Sequence, residues 1–153
     1  MNATSIPAAD DLARRYGAAW NAHDLDEIIS MQTPEMQFEL KLPGYPPAHG
    51  AAEVAEQSRF LFASWPDMHF ATQALNVAEG FFVHQFRFTA TLAGAFPIDG
   101  GVVEPAGQKL DLDGVDVITT ADGLVATKHT YMDAFALRAQ LGLGVLQASG
   151  AAR

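Results

Sequence analysis

The stretch Lys109-Leu-Asp-Leu-Asp-Gly-Val-Asp-Val-Ile-Thr-Thr120 is followed by Ala121-Asp122-Gly123 and then by Leu124-Val-Ala-Thr-Lys-His-Thr-Tyr-Met-Asp133. Asp-Gly between two alternating runs is a strong hairpin signal, because a tight turn there needs positive φ at both central residues. The runs 109–120 and 124–133 therefore read as two long antiparallel strands. Working upstream, Met68 to Ala78 and Phe81 to Leu92 flank Glu79-Gly80 and read as a second hairpin. The segment Ala93 to Gly107 between the hairpins is rich in glycine and proline and predicts a long loop.

Helical spacing precedes the strands. Leu12, Tyr16, Ala19, Trp20 and His23 line one face of a first helix. Asp24-Leu25-Asp26-Glu27 resembles an aspartate capping box, with Asp24 capping a second helix and Glu27 reaching back. That helix carries Leu25, Ile28 and Ile29 inward and is expected to stop near Thr33-Pro34. Phe38 to Leu42 alternates as a short strand, Pro43 to Gly50 is a loop, and Ala51 to Ser64 is a third helix with Val54, Ser58 and Leu61 on one face. A last short helix covers Ala134 to Leu141 and ends at Gly142. The order ααβαββββα predicts an α+β domain, with helices packed on one face of a curved antiparallel sheet.

Composition narrows the function. The 153 residues are 49% hydrophobic and 18% charged, with no cysteine. A chain of this size buries enough surface for one domain, expected here over 1–153. Without cysteine there are no disulfides, no thiolate catalysis and no cysteine-bearing metal sites. Nine Lys+Arg against eighteen Asp+Glu give a formal charge of −9, which disfavours nucleic acid as a partner. Met1 to Ala9 holds no basic residue and no signal-like apolar run, and the uncharged 139–152 run is interrupted by glycines, a serine and glutamines. No stretch approaches the ~18–20 apolar residues of a membrane span. The expectation is a soluble, cytoplasmic protein.

Several motifs resemble one family. Tyr16-Gly-Ala-Ala-Trp20-Asn21-Ala-His23-Asp24-Leu25-Asp26 resembles the end of the first helix in nuclear transport factor 2-like proteins. Gly50 opening the third helix and Trp65-Pro66-Asp67 before the hairpins are similar as well. Thr89-Ala-Thr-Leu-Ala-Gly94 with Glu104-Pro105-Ala-Gly107-Gln-Lys109 resembles the Thr-Gly-Thr-His and Pro-Ala-Thr-Gly-Lys stretches of the SnoaL-like polyketide cyclases. So do Asp122-Gly123-Leu-Val, Tyr131-Met-Asp133 and Gln140-Leu-Gly142-Leu143. The resemblance implies a conical curved antiparallel sheet with three helices on its concave face, also known as a cystatin-like fold. It further implies one deep pocket between sheet and helices, and a homodimer joined through the outer sheet.

Strand alternation and this resemblance together select candidate residues. His129, Tyr131 and Asp133 share one face of the last strand. The resembling cyclases carry an acid/base aspartate at the position of Asp133; the same residue also fits as the cap of the last helix. A carboxyl group in an apolar cavity has a raised pKa and exchanges protons near neutral pH. Asp116 shares the face of Ile118 on the preceding strand, and Ile118 stands where the cyclases place a histidine. Tyr16 matches the oxyanion-hole tyrosine of the resembling ketosteroid isomerases, whose shuttling aspartate is replaced here by Leu40. His84 stands among Phe82, Phe86 and Phe88 and reads either as an acid/base group or as a pocket-wall residue. The candidate catalytic set is thus Asp133, Asp116, His129, His84 and Tyr16, lined by Trp20, Phe82, Phe86, Phe88, Ile118 and Tyr131.

His129-x-Tyr131-x-Asp133 offers too few ligands for a metal. Proton-moving reactions imply no cofactor. The expected function is acid/base catalysis on a carbonyl-bearing hydrophobic molecule: aldol cyclisation, isomerisation or dehydration. A non-catalytic hydrophobic-ligand-binding module and an epoxide-opening hydrolase using Asn76 or Arg87 are the alternatives. Val115 and Val117, opposite Asp116, are the candidate contact with a second copy.

Overall fold

The computed structural model describes residues 2–144. The ends of the expected 1–153 domain, and most of the uncharged 139–152 run, lie outside the described residues.

Helix α1 (Ile6–Ala22) starts with Pro7 in its first turn, where no amide hydrogen is needed. It buries Ala9, Leu12, Ala13, Tyr16, Ala19 and Trp20, which include every residue of the predicted stripe except His23. His23 closes it in the left-handed region at φ 55°. The His23 ring stacks on Phe62 at 4.6 Å, with Nε2 3.0 Å from the Met68 carbonyl. Helix α2 (Leu25–Ser30) is capped by Asp24, whose carboxylate accepts from the Glu27 amide at 3.1 Å. The Glu27 side chain turns to Arg15 at 3.1 Å instead of reaching back.

The chain then enters β1 (Gln32–Leu40), earlier than alternation alone predicts. Pro34 falls inside this strand, not at the end of α2. The pairing of β1 with its neighbour shifts between Gln32 and Gln37, so the missing Pro34 amide leaves no ladder bond unmade. A two-residue strand β2 (Ala48–His49) leads into α3 (Gly50–Ser64), which buries Val54, Ser58 and Leu61 as its spacing predicts.

Strands β3 (His69–Ala78) and β4 (Phe81–Thr91) form the first long hairpin. The expected loop 93–107 contains a small hairpin, β5 (Phe96–Ile98) and β6 (Gly101–Val103). Its turn is Asp99-Gly100, at φ 53° and 75°, the same turn chemistry as Asp122-Gly123 at 52° and 78°. Three-residue strands are too short to show alternation, which is why the segment reads as a loop. Strands β7 (Lys109–Ala121) and β8 (Leu124–Met132) form the second long hairpin, and α4 (Ala134–Gln140) follows.

The main sheet runs β2-β1-β8-β7-β4-β3. Both long hairpins are antiparallel; β1 and β8 make one parallel pair. Phe82, Phe86 and Phe88 of β4, Leu110, Leu112 and Ile118 of β7, and Met36, Phe38 and Leu40 of β1 are buried together with Tyr16, Trp20 and Leu61 of the helices. Gly114 belongs to this core through what it lacks: a Cβ there would lie 2.5 Å from Phe86 Cε2. No helix among the described residues is long and apolar enough to cross a membrane.

Candidate active site

The β7–β8 register decides which side chains enter the core. The turn pairs Ala121 with Leu124 and Thr120 with Val125. Continued regularly, that ladder would set Asp116 opposite His129. The pairing shifts after Thr120, leaving Ala126 as an extra residue, so that Thr119 faces Thr127 and Asp116 faces Thr130. A one-residue shift turns every following side chain to the other face. Lys128 and Thr130 consequently point inward, and His129 and Tyr131 point outward.

This corrects three of the expected positions. His129 lies on the outer face, with Nε2 4.0 Å from Glu39. Tyr131 is 44% exposed. Asp133 is exposed, beyond the end of β8, and its carboxylate accepts from the Ala136 amide at 3.0 Å as the cap of α4. Arg87 and Asn76 are also outside the site. Arg87 pairs with Asp111 at 2.6 Å and Asp113 at 3.3 Å, and Asn76 is exposed.

Asp116 and His84 lie on the inner face. Asp116 is 5% exposed. Its Oδ1 accepts from Thr130 Oγ1 at 2.6 Å and from Lys128 Nζ at 2.7 Å. Lys128 also donates to Thr130 Oγ1 at 2.9 Å. Asp116 Oδ2 lies 3.9 Å from His84 Nδ1, while His84 Nε2 is 2.8 Å from Thr72 Oγ1. Burial alone pushes the Asp116 carboxyl up, but the Lys128 ammonium, the nearby His84 and the hydrogen bonds from Lys128 and Thr130 outweigh it. The net effect holds its pKa below the usual carboxylate value.

Lys128 and Thr130 carried no signal in the sequence, because polar residues in a strand ordinarily read as its solvent face. Lys128 is 3% exposed, its Nζ 5.1 Å from the Trp20 ring centroid and 5.2 Å from that of Phe38. Tyr16 is buried on the helix side. Its hydroxyl accepts from Gln32 Nε2 at 2.7 Å, and burial raises its pKa. The Trp20 Nε1 and the Gln32 Oε1 are buried without a protein partner.

Two internal cavities meet at Lys128. One, of about 40 Å³, is walled by apolar groups including Trp20, Phe38, Leu61 and Phe88, with Thr130 at its edge. The other, of about 20 Å³, is walled by Tyr16, Phe82, His84, Asp116 and Ile118. Outside them, between α1 and the β3–β4 hairpin, lies a cleft of about 340 Å³ bordered by Arg14, Asn21, Thr72 and His84. Phe70 forms a wall of all three spaces, and Gly17 and His84 separate the cleft from the second cavity. The arrangement brings an ionised carboxylate, an ammonium, a hydroxyl and an imidazole to the border of an apolar interior. Among the described residues, no group of three or more His, Asp or Glu side chains is placed to hold a metal.

The same architecture occurs in solved structures. A protein from Jannaschia sp. CCS1, assigned as a SnoaL-like polyketide cyclase, superposes with a TM-score of 0.77 at 21% identity, over 91% of this chain and 94% of that one. AclR from Streptomyces galilaeus, assigned as a hydroxylase, gives 0.74 at 22% identity, over 95% and 91%. A protein with a ketosteroid isomerase-like fold from Catenulispora acidiphila gives 0.70 at 11% identity, over 88% and 94%. At these identities the likeness concerns the fold. No curated protein matches the chain. The SnoaL-like polyketide cyclase profile matches residues 10–141, from within α1 to the end of α4 and including both long hairpins and the Asp116 site, and the chain therefore belongs to that family.

Proposed function

We propose that this protein moves protons on a carbonyl-bearing, apolar small molecule, with Asp116 as the base. The carrying observation is an ionised Asp116 on the wall of the second cavity, with both hydrogen bonds on Oδ1 and with Oδ2 3.9 Å from His84. Oδ2 is the oxygen with capacity to take a proton from the carbon beside a carbonyl. As negative charge moves from the carboxylate to the carbonyl oxygen, Lys128, which borders both cavities, and Thr130, which borders one, stabilise it there. His84, between Oδ2 and Thr72, is placed to pass the proton toward the outer cleft. Aldol cyclisation, isomerisation and dehydration all use such a transfer. Membership in the cyclase family favours the first.

The test is exchange of the α-hydrogens of an apolar ketone, benzylacetone, in deuterium oxide, followed by NMR. The native chain should accelerate exchange, and Asp116→Asn should slow it by ~10²–10⁴, the usual worth of an acid/base group. Full exchange in the Asn variant would overturn the assignment.

A non-catalytic binding role is the second reading, favoured by the lowered pKa of Asp116, which makes its carboxylate a weak base. Cavities of about 40 and 20 Å³ hold a few waters, and a drug-sized ligand needs roughly 300–1,000 Å³, so on either reading the interior widens toward the outer cleft as the ligand enters. Saturable binding of apolar ketones with no exchange in the native chain would select this reading.

We also propose a second copy of the chain as the partner of the outer sheet face. Val115 lies directly opposite Tyr131 there, beside the exposed Val117. Sedimentation at micromolar protein should show a dimer that Val117→Glu weakens; a monomer in the native chain would overturn this.

A further inference from the structure

Lys128 is the one lysine of three that the fold buries. Lys109 is exposed, and Lys41 pairs with Glu39 at 2.7 Å on the surface. As packing alone, a buried ion pair is a poor choice: an apolar side chain of similar length would fill the slot between Trp20 and Phe38 without desolvating a charge. Arginine would hold a structural carboxylate more rigidly, whereas lysine can give up its proton when surrounded by apolar groups. Nζ has two hydrogen-bonded neighbours, Asp116 and Thr130, and otherwise faces the two aromatic rings. It borders both internal cavities.

We propose that Lys128 forms an imine with a ketone or aldehyde for which the two cavities widen toward the outer cleft, so that the chain activates its substrate covalently. This rests on the reading of Asp116 as the acid/base group for a carbonyl compound. An apolar substrate seated against Nζ excludes water from the pair, and a neutral acid and amine then become favourable relative to two buried ions. Lys128 passes a proton to Asp116, and Nζ attacks the carbonyl carbon. A C–N bond forms and the amine's second proton moves to the former carbonyl oxygen. That oxygen takes the proton stored on Asp116 and departs as water, leaving a protonated imine. One water is released, no electrons are exchanged, and Asp116 returns to its ionised form beside an α-carbon made more acidic by the iminium charge.

The experiment treats the native chain with benzylacetone and cyanoborohydride, which reduces an iminium to a stable amine, and locates the adduct by peptide mass spectrometry. Deuterium exchange of the same ketone is measured in parallel on the native chain and on Lys128→Arg, which keeps the charge but cannot form the imine. The expected result is an adduct on Lys128 ahead of Lys41, Lys109 and the N-terminus, with adduct and exchange both lost in Lys128→Arg. Exchange without an adduct, or adducts confined to the surface amines, overturns the imine and leaves the Asp116 reading standing. An adduct on Lys128 with undiminished exchange in Lys128→Arg makes it a bystander amine and overturns the proposal too. Neither adduct nor exchange in the native chain overturns both readings.

Discussion

Lys128 Nζ donates to Asp116 Oδ1 across 2.7 Å; both groups are buried, and the rings of Trp20 and Phe38 cover the ammonium. Removing one partner leaves the other charge uncompensated. Lys128→Met should therefore cost ~3–5 kcal/mol, the usual penalty for breaking a buried pair from one side. Urea denaturation of the single variants and of Lys128→Met with Asp116→Leu checks this. The double variant should recover most of the loss.

The same pair gives stability a defined pH dependence. Asp116 has its pKa held below the ordinary 3.8 in the folded chain. A depressed carboxyl adds stability above its unfolded pKa and loses it as pH falls through the folded one. The stability gap between the native chain and Asp116→Asn should be full at neutral pH and shrink below pH ~4. Denaturation midpoints across that range are the measurement. A gap independent of pH would contradict the pairing.

Asp133 and Asp116 should separate cleanly in mutagenesis. Asp133 caps α4 from the surface, so Asp133→Ala should cost ~1 kcal/mol of stability and leave proton exchange unchanged. Asp116→Asn should do the reverse on exchange. Loss of exchange in Asp133→Ala would return the chemistry to the end of β8.

Phe70 divides the outer cleft from the two cavities. Phe70→Ala should join them into one larger space at a cost of ~3 kcal/mol in stability. Binding of an apolar fluorescent probe should rise. Gly17→Val should narrow the passage between cleft and second cavity and slow probe entry, measured by stopped flow.

Gly114 is needed by its neighbour across the ladder. The Phe86 ring occupies the place of a Cβ. Gly114→Ala should destabilise by ~1–3 kcal/mol through overpacking, and Phe86→Leu should relieve part of it. Thermal unfolding of the single and double variants reads the coupling.

Local chemistry alone determined much of this molecule. The stripe from Leu12 to Trp20, the Asp24 cap, the turns at Glu79-Gly80 and Asp122-Gly123, and the alternation around Phe82 to Phe88 are short-range signals. They specified the four helices, the first strand, both antiparallel hairpins and the shared face of Asp116 and Ile118, but not the short strands β2, β5 and β6. The parity of β8 lay beyond them. A single extra residue at Ala126 exchanges the two faces of the strand, and nothing in Ala-Thr-Lys-His-Thr-Tyr announces it. Only the ladder against β7, with Ile118 fixed in the core, decides that Lys128 and Thr130 turn inward while His129 and Tyr131 turn out. Lys128 was invisible for the same reason: a lysine on a strand reads as solvent-facing until the carboxylate that compensates its burial, twelve residues away in the chain, is brought beside it by the fold.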